Sequence, residues 1–357
     1  MDIKPTDRRE IKPIVVDEHG PEKTTEASET DTFVLTARST TPSAAKHEAD
    51  LRLERFNQIM DKVDRIEGAD PDFLRNYLTT SFTAMTPPVE DVLPDPLNER
   101  ELAAQLELGH PHATLELDDF TLLSSMDLPE PLVGSFTTLG VYTNRETRDP
   151  LAYFIVTFSR TADGKASQYL DYLFTNIHDP HAVGITDRFL EQLERLSRTA
   201  GVTEETIWAA AVGRLRWALD GYDFESEKEK ADLVCRFKQF LKRFEIHEPE
   251  FELEFDRGDG TVEPFSFDKL EHSWDFAHVR SKRRSIRIAT RVGHTELPIQ
   301  RLPVGRAFLL GDYEDPEIKD IVSPCWHGVR SVDPSSPGQI QRRRYQAIRE
   351  RRKWEGA

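Results

Sequence analysis

Apolar positions in the first third of the chain recur with a helical period. Between about residues 46 and 67 they fall every three or four residues, which places them on one face of an α-helix. A second helix is predicted from Pro71 with Asp70 as its N-cap, and a third over 99–108, beyond a proline-rich break. The first stripe consists of Leu53, Phe56, Ile59, Met60, Val63 and Ile66.

From residue 112 the pattern changes to alternation of apolar and polar residues. Four strands are predicted, at 114–123, 132–143, 151–160 and 168–177. The last two are joined by residues 162–165, Ala-Asp-Gly-Lys, which is a hairpin turn signal. Consecutive strands with short connections predict an antiparallel meander.

A helix and a fifth strand follow the meander. The helix is predicted at 186–199 and ends before Gly201, where a C-terminal glycine belongs. The strand is predicted at 205–212. A strand, helix, strand order favours parallel pairing with a right-handed crossover. The expected fold class is therefore α+β (α/β), with a mixed sheet.

The remainder of the chain is less regular, with a turn expected at 257–260. Further elements are a helix at 227–244, strands at 250–255, 286–292 and 306–310, and a terminal helix from about residue 339. Together the patterns divide the chain into a disordered tail (1–45), a helical extension (46–110), a core (111–255), an accessory region (256–335) and a basic C-terminal helix (336–357).

Charge limits the partners. The net charge is -17, from 64 acidic and 47 basic residues, and such a balance repels nucleic acid and anionic lipid unless positive charge is concentrated locally. There is no apolar run long enough to span a membrane and no apolar signal segment. A cytoplasmic protein without membrane association is expected. Its cysteines, Cys235 and Cys325, are expected to be two reduced thiols.

The element order over residues 114–224 resembles that of the GNAT superfamily of N-acetyltransferases. In that superfamily the loop after the fourth strand carries a Gln/Arg-x-x-Gly-x-Gly/Ala pattern, whose amides hold the pyrophosphate of acetyl-CoA. The matching positions here are His181, Gly184 and Thr186. The resemblance implies acetyl-CoA as cofactor, bound by these three residues and by Ile177 at the end of the fourth strand.

The chain departs from the family pattern at two places. Thr186 replaces the second glycine, and Trp217 stands where the family has a tyrosine that protonates the departing thiolate. An indole N–H cannot serve as that acid. Two function classes follow: an acetyltransferase acting on a small-molecule or protein amine, and a non-catalytic protein-interaction module on the same fold.

A narrower similarity concerns GNAT-like domains of bacterial and phage-associated proteins. These have a tryptophan in the helix that contains Trp217, and a tail that resembles residues 302–311 followed by 326–329. The similarity implies the fold more than the activity.

Asp171 is the candidate general base, in the segment Tyr-Leu-Asp-Tyr-Leu-Phe of the fourth strand. A carboxylate among apolar and aromatic side chains is a stronger base than an exposed one. The alternative is that strand alternation places Asp171 on the solvent face.

No metal site is predicted. His178, Asp179 and His181 lack a fourth ligand at a recognised spacing, and helix capping by Asp179 or His181 is favoured instead. Cys325 and His327 would share a face if their segment is a strand, but a packed cysteine is favoured over a nucleophile.

Two basic clusters occur, at 280–291 and 342–353. The second lies on the terminal helix and is a candidate surface for a protein partner; nucleic acid is disfavoured by the overall charge. The alternative is that this helix pairs with the acidic body of its own chain.

Overall fold

A seven-stranded mixed sheet is the centre of the computed structural model. Its strands follow the order β1-β2-β3-β4-β5-β12-β6. The strands of the whole structure are β1 (Ala113–Asp118), β2 (Leu132–Asn144), β3 (Pro150–Thr161), β4 (Ala166–Thr175), β5 (Val202–Ala209), β6 (Asp223–Phe224), β7 (Leu253–Asp256), β8 (Val262–Pro264), β9 (Val279–Ser281), β10 (Ile286–Val292), β11 (Thr295–Leu302) and β12 (Trp326–Ser331). Strands β8-β7-β9 form a second sheet, and β10 pairs with β11.

Helices surround this sheet. They are α1 (Ile185–Thr199), α2 (Gly213–Leu219), α3 (Glu227–Arg243), α4 (Pro249–Glu252), α5 (Ser273–Ala277), α6 (Val304–Leu310) and α7 (Pro337–Glu355). A 3-10 turn at Pro180–Ala182 precedes α1. Residues 57–63 and 104–106 are also helical.

The structure describes residues 54, 57–66, 69, 72, 74, 104–118, 132–176, 178–210, 213–292, 295–312 and 315–355. All of them belong to the unit Lys46–Ala357. The predicted tail at 1–45, the proline-rich break, most of the second predicted helix and the end of the first strand lie outside the described residues. Within them, no helix has both the length and the apolar character needed to cross a bilayer.

The predicted meander is confirmed. Strands β1 to β4 pair antiparallel in sequence, and β4 pairs with β5 in parallel across α1. The helix α1 ends at Thr199, and Gly201 follows with a left-handed φ of 68° that residues other than glycine adopt at a cost. The fold is therefore α+β with a mixed sheet, as expected.

Each face of the sheet has its own packing. Helix α1 covers one face through Phe189, whose ring lies 4.5 Å from that of Phe154 on β3. This core continues into the C-terminal region through Phe237 and Phe308. On the other face the helix at 57–63 packs on β2, β3 and β4. Large fully buried aromatic surfaces of this kind supply most of the stabilisation of such a fold.

Three predicted elements are wrong in type or position. The strand predicted at 306–310 is helix α6, where Gly305 lets the helix approach the backbone carbonyl of Phe276 so closely that a β-carbon would lie 1.6 Å from it. The strand predicted at 205–212 is β5, three residues earlier. Residues 249–252 form the helical turn α4, with Pro249 at its first position, and only then does strand β7 begin.

Candidate functional site

Strands β4 and β5 pair along only part of their length. Their last paired residues are Leu170 and Ile207. Beyond Leu170, β4 continues to Thr175 while paired only with β3. The parallel ladder thus ends inside the sheet. Beyond it, β4 and β5 no longer pair with each other, although β4 still pairs with β3 and β5 with β12.

A β-bulge lies at the point where the ladder ends. Leu170 pairs with Val156 and Tyr172 pairs with Ile155, so Asp171 is the extra residue on β4. The bulge directs the Asp171 carboxylate towards β3, where its Oδ2 accepts a hydrogen bond of 2.8 Å from the hydroxyl of Thr157. Asp171 is half-buried. The candidate base is therefore held by a neighbouring strand rather than directed freely into solvent.

The bend after β4 leads into the N-terminus of α1. Asp179 caps the 3-10 turn by accepting from the backbone N–H of His181 at 2.8 Å, which confirms a capping role for Asp179. Gly184 is the N-cap of α1, with a left-handed φ of 86° and nothing within 4 Å of the position a β-carbon would occupy. The amides of residues 185–187 form the first turn of α1, where N–H groups have no partner within the helix.

Several side chains surround this bend. The Thr186 hydroxyl is 2.7 Å from that of Thr175, which ties the start of α1 to the end of β4. On the opposite side, His110 Nε2 lies 3.3 Å from the Val183 carbonyl, and the His181 ring stands 4.9 Å from the ring of His112. Ile177 lies outside the described residues. The bend is bordered by β4 and by the segment that precedes β1.

Two arginines from distant elements reach the first turn of α1. Arg349 of α7 donates to Asp187 in a bidentate arrangement at 2.6 and 2.5 Å, and Arg216 of α2 contacts the same carboxylate at 2.8 Å. Although burial raises the pKa of Asp187, these guanidinium groups lower it to about 2. Arg216 also pairs with Asp220 at 2.6 Å. The two guanidinium groups beside the helix terminus are therefore balanced by the carboxylates of Asp187 and Asp220.

Trp217 is part of the core. It is 8% exposed, its ring meets that of Tyr222 edge-to-face at 5.7 Å, and it packs closely against Gly213. Tyr222 is more deeply buried, and burial raises its pKa far above the ordinary value. The Trp217 indole cannot act as an acid, and burial makes the Tyr222 phenol a weaker acid than an exposed tyrosine.

A second cluster, which the sequence patterns do not predict, lies on one face of the sheet where β5 pairs with β12. The ring of His327 on β12 lies 4.4 Å from the ring of Trp208 on β5, tilted by 54°, and its Nδ1 lies 3.1 Å from Glu229 Oε1 of α3. On the same face, burial and then the charges of Asp171 and Glu225 raise the pKa of Tyr169 to about 12. The register of β12 and β5 places His327 opposite Trp208, but local sequence patterns do not predict that β12 joins this sheet.

One group of side chains in the part of the chain that the structure describes could supply three metal ligands. There, His178, Asp179 and His181 do not form a three-ligand group; the group that does consists of Glu225, Glu229 and His327, with ligand atoms within 4.8 Å of one another. Cys235 and Cys325 are not joined in a disulfide.

The basic clusters have intrachain partners. Arg344 of α7 pairs with Asp259, and Arg349 pairs with Asp187. In the other cluster Arg280 pairs with Glu254 at 2.8 Å. These contacts favour the alternative in which the terminal helix docks on the acidic body of its own chain.

Comparison with known proteins adds no assignment. No family model matches the chain, and no curated protein matches it with significant similarity. The geometry described above is therefore the basis for any functional conclusion.

Proposed function

We propose that the chain is a divergent GNAT-like acyltransferase that binds acetyl-CoA between β4 and β5 and transfers the acetyl group to an amine. The observation that carries this proposal is the end of the β4–β5 ladder at Leu170 and Ile207. A ligand chain that lies between two strands can hydrogen-bond to backbone groups only where the strands do not pair with each other. Residues 173–175 of β4 pair with β3 on one edge and lie beyond the end of the β4–β5 ladder on the other, so backbone groups on that second edge could meet the cofactor.

The diphosphate of the cofactor would bind at the bend. Unpaired amides and the helix dipole at the first turn of α1 favour an anion. The left-handed Gly184 leaves open space beside them. Arg216 and Arg349 lie nearby and offset the negative charge of Asp187 in the same turn. The Thr186 hydroxyl would serve as a further donor to phosphate.

In the proposed reaction, the amine nitrogen attacks the thioester carbonyl, a C–N bond forms and the C–S bond breaks. The Asp171 carboxylate would accept the proton that the amine loses, with the Thr157 hydroxyl orienting it. The CoA thiolate leaves and takes a proton from solvent, since Trp217 cannot supply one.

A specific observation favours a second candidate, a non-catalytic protein-interaction module on the same fold. The residue in the acid position, Trp217, is packed in the core, and burial raises the pKa of the neighbouring Tyr222, which makes it a poorer proton donor. On this alternative, the fold is retained without the chemistry, and an exposed helical surface engages a partner.

Isothermal titration with acetyl-CoA tests the proposal. Binding at micromolar concentrations is expected for the wild-type protein, and Gly184→Trp should abolish it by filling the open space at the bend. The matched control is Gly164→Trp, because Gly164 also has a left-handed φ and open space around it but lies in the β3–β4 hairpin. Absence of binding at millimolar acetyl-CoA, or equal loss in both variants, would leave the interaction module as the better account.

A further inference from the structure

Three side chains from separate elements meet at the end of the sheet where β12 pairs with β6. Glu225 directly follows β6, Glu229 lies in the first turn of α3, and His327 is the second residue of β12. One ligand atom from each lies within 4.8 Å of the other two. His327 Nδ1 is 3.1 Å from Glu229 Oε1 and 3.9 Å from Glu225 Oε2.

Backbone contacts fix the positions of these side chains. The backbone N–H of Glu225 donates to the carbonyl of His327 at 3.1 Å, so the two residues are neighbours across the strands. Ser226 caps α3 by accepting from the backbone N–H of Glu229 at 3.3 Å. The ring of His327 lies 4.4 Å from that of Trp208, which limits its movement. Secondary structure therefore holds an imidazole and two carboxylates close together.

The group carries an excess of negative charge. Two carboxylates share one imidazole, and neither Glu225 nor Glu229 is paired with a lysine or arginine among the described residues. Glu229 Oε2 is buried and also lacks a hydrogen-bond partner there, which costs free energy. Since the two oxygens of a carboxylate share its charge, a cation at Glu229 Oε1 offsets this cost without contact to Oε2. The uncompensated charge thus favours a cation independently of the ligand spacing.

The donor set determines which cation fits. One imidazole nitrogen and two carboxylate oxygens suit a divalent transition-metal ion such as Zn²⁺, whereas Mg²⁺ and Ca²⁺ take oxygen ligands. Two ligands of a tetrahedral Zn²⁺ with bonds of about 2.0 Å lie about 3.3 Å apart, close to the distances of 3.1 and 3.9 Å from His327 Nδ1. The side chains of Glu225 and His327 are 63% and 50% exposed, so an ion can enter from solvent.

We propose that Glu225, Glu229 and His327 bind one Zn²⁺ or a similar divalent transition-metal ion, with water in the remaining position. Glu229 Oε1 keeps the hydrogen bond that it accepts from the backbone N–H of His327 at 3.0 Å. The ion replaces the ring contact at the same oxygen, which has a second lone pair to offer. The bound ion joins the start of α3 to β12. None of the three ligands belongs to β4 or to the bend at Gly184, so the site is separate from the proposed cofactor site.

Titration of the EDTA-treated full-length protein with Zn²⁺, Mg²⁺ and Ca²⁺ tests the choice of ion. We expect one equivalent of Zn²⁺ to bind more tightly than any further equivalent, and no comparable binding of Mg²⁺ or Ca²⁺. Equal affinity for all three ions would indicate an unspecific acidic surface and would overturn the proposal. Absence of bound Zn²⁺ at submillimolar concentrations would do the same.

Variants assign the ion to these residues. Glu225→Gln and His327→Gln each remove one ligand from an exposed side chain, so both proteins should fold, and Zn²⁺ affinity should fall about tenfold or more. The matched controls are Glu227→Gln, a 90% exposed carboxylate in the same turn of α3, and His247→Gln, an exposed histidine. Both controls should bind Zn²⁺ as the wild type does. Equal weakening in ligand and control variants would contradict the assignment.

Two further measurements report the position of the ion. In NMR spectra, Zn²⁺ should shift the ring signals of His327 and leave those of His247 in place. An ion that binds only the folded state also raises the melting temperature, so Zn²⁺ should raise that of the wild type and not that of His327→Gln. Shifts confined to other histidines, or an equal rise in both proteins, would place the ion elsewhere.

Discussion

Glu205 and Arg330 form an ion pair buried between β5 and β12. Their side chains are only 2% and 3% exposed, and Arg330 Nε donates to Glu205 Oε2 at 2.9 Å. Arg330 also donates to the Asp220 carbonyl at 2.7 Å and lies 4.3 Å above the ring of Tyr222. The pair therefore joins the late strand β12 to the sheet and to the end of α2.

Removal of one partner should be strongly destabilising. In Glu205→Ala the Arg330 charge stays buried without its counterion, and we expect the free energy of unfolding to fall by about 3–5 kcal/mol. Chemical denaturation measures this. The neighbouring Glu204 is exposed, so Glu204→Ala should stay within about 0.5 kcal/mol of the wild type. A similar decrease in the free energy of unfolding in both variants would show that the buried ion pair contributes no more to stability than an exposed carboxylate.

Sequence patterns could predict the parts of the fold that depend on local periodicity. The alternation in β2, β3 and β4, the turn at 162–165 and the apolar stripe of α1 all lead to the observed elements. Helix α6 is a short apolar segment, and in such a segment the spacing of apolar residues does not distinguish a strand from a helix. Its helical structure depends on the close approach of Gly305 to Phe276.

The site could be predicted only in outline. The position of Gly184 before α1 follows from the element order, and its left-handed backbone agrees with a glycine there. The bulge at Asp171 and the contact of Arg349 with Asp187 depend on pairing between distant segments, which local patterns do not encode.

The buried His278 should make the protein less stable in acid. Burial, followed by the charges of Arg257, Arg306 and Arg344, lowers its pKa to about 4 in the folded state, despite the contact of its Nδ1 with the Asp256 carbonyl at 3.1 Å. The unfolded chain therefore binds more protons between pH 6.5 and 4, so stability falls as pH decreases through this window and levels off below it.

Denaturant titrations from pH 7 to pH 4 measure this contribution. In His278→Gln the free energy of unfolding should depend less steeply on pH, by the contribution of up to one proton. Over the full window this contribution is worth about 3 kcal/mol. The exposed His247 provides the control, since His247→Gln should leave the slope unchanged. An unaltered slope in His278→Gln would mean that another group causes the acid sensitivity.

The contact between His272 and Asp223 should act in the opposite direction. Its hydrogen bond to the Asp223 carboxylate raises the pKa of His272 above the ordinary value of 6.5. The stabilisation is fully present below pH 6.5 and is lost as pH rises from there through the folded-state pKa. Titration of the His272 ring by NMR should show the raised pKa, and Asp223→Asn should return it towards 6.5. A ring that titrates identically in both proteins would contradict this reading.

If the acyltransfer proposal is correct, two substitutions near the site should have contrasting effects. Asp171→Asn keeps the shape of the proposed base but cannot accept the proton, so turnover of an amine substrate should fall by about 10²–10⁴-fold. Trp217→Phe should leave turnover nearly unchanged, because the indole takes no part in proton transfer. Thiol release from acetyl-CoA provides the assay. Loss of activity in Trp217→Phe with normal turnover in Asp171→Asn would reverse the proposed roles.

Hydrogen exchange of the backbone amides at residues 184–187, measured with and without CoA, tests the central claim most directly. If the first turn of α1 holds the diphosphate, CoA should slow the exchange of these amides in the wild-type protein and in Gly164→Trp, and should not do so in Gly184→Trp. The β3–β4 hairpin around Gly164 should exchange at the same rate in both conditions. Unchanged exchange at residues 184–187 with millimolar CoA, or protection confined to another part of the chain, would contradict the account.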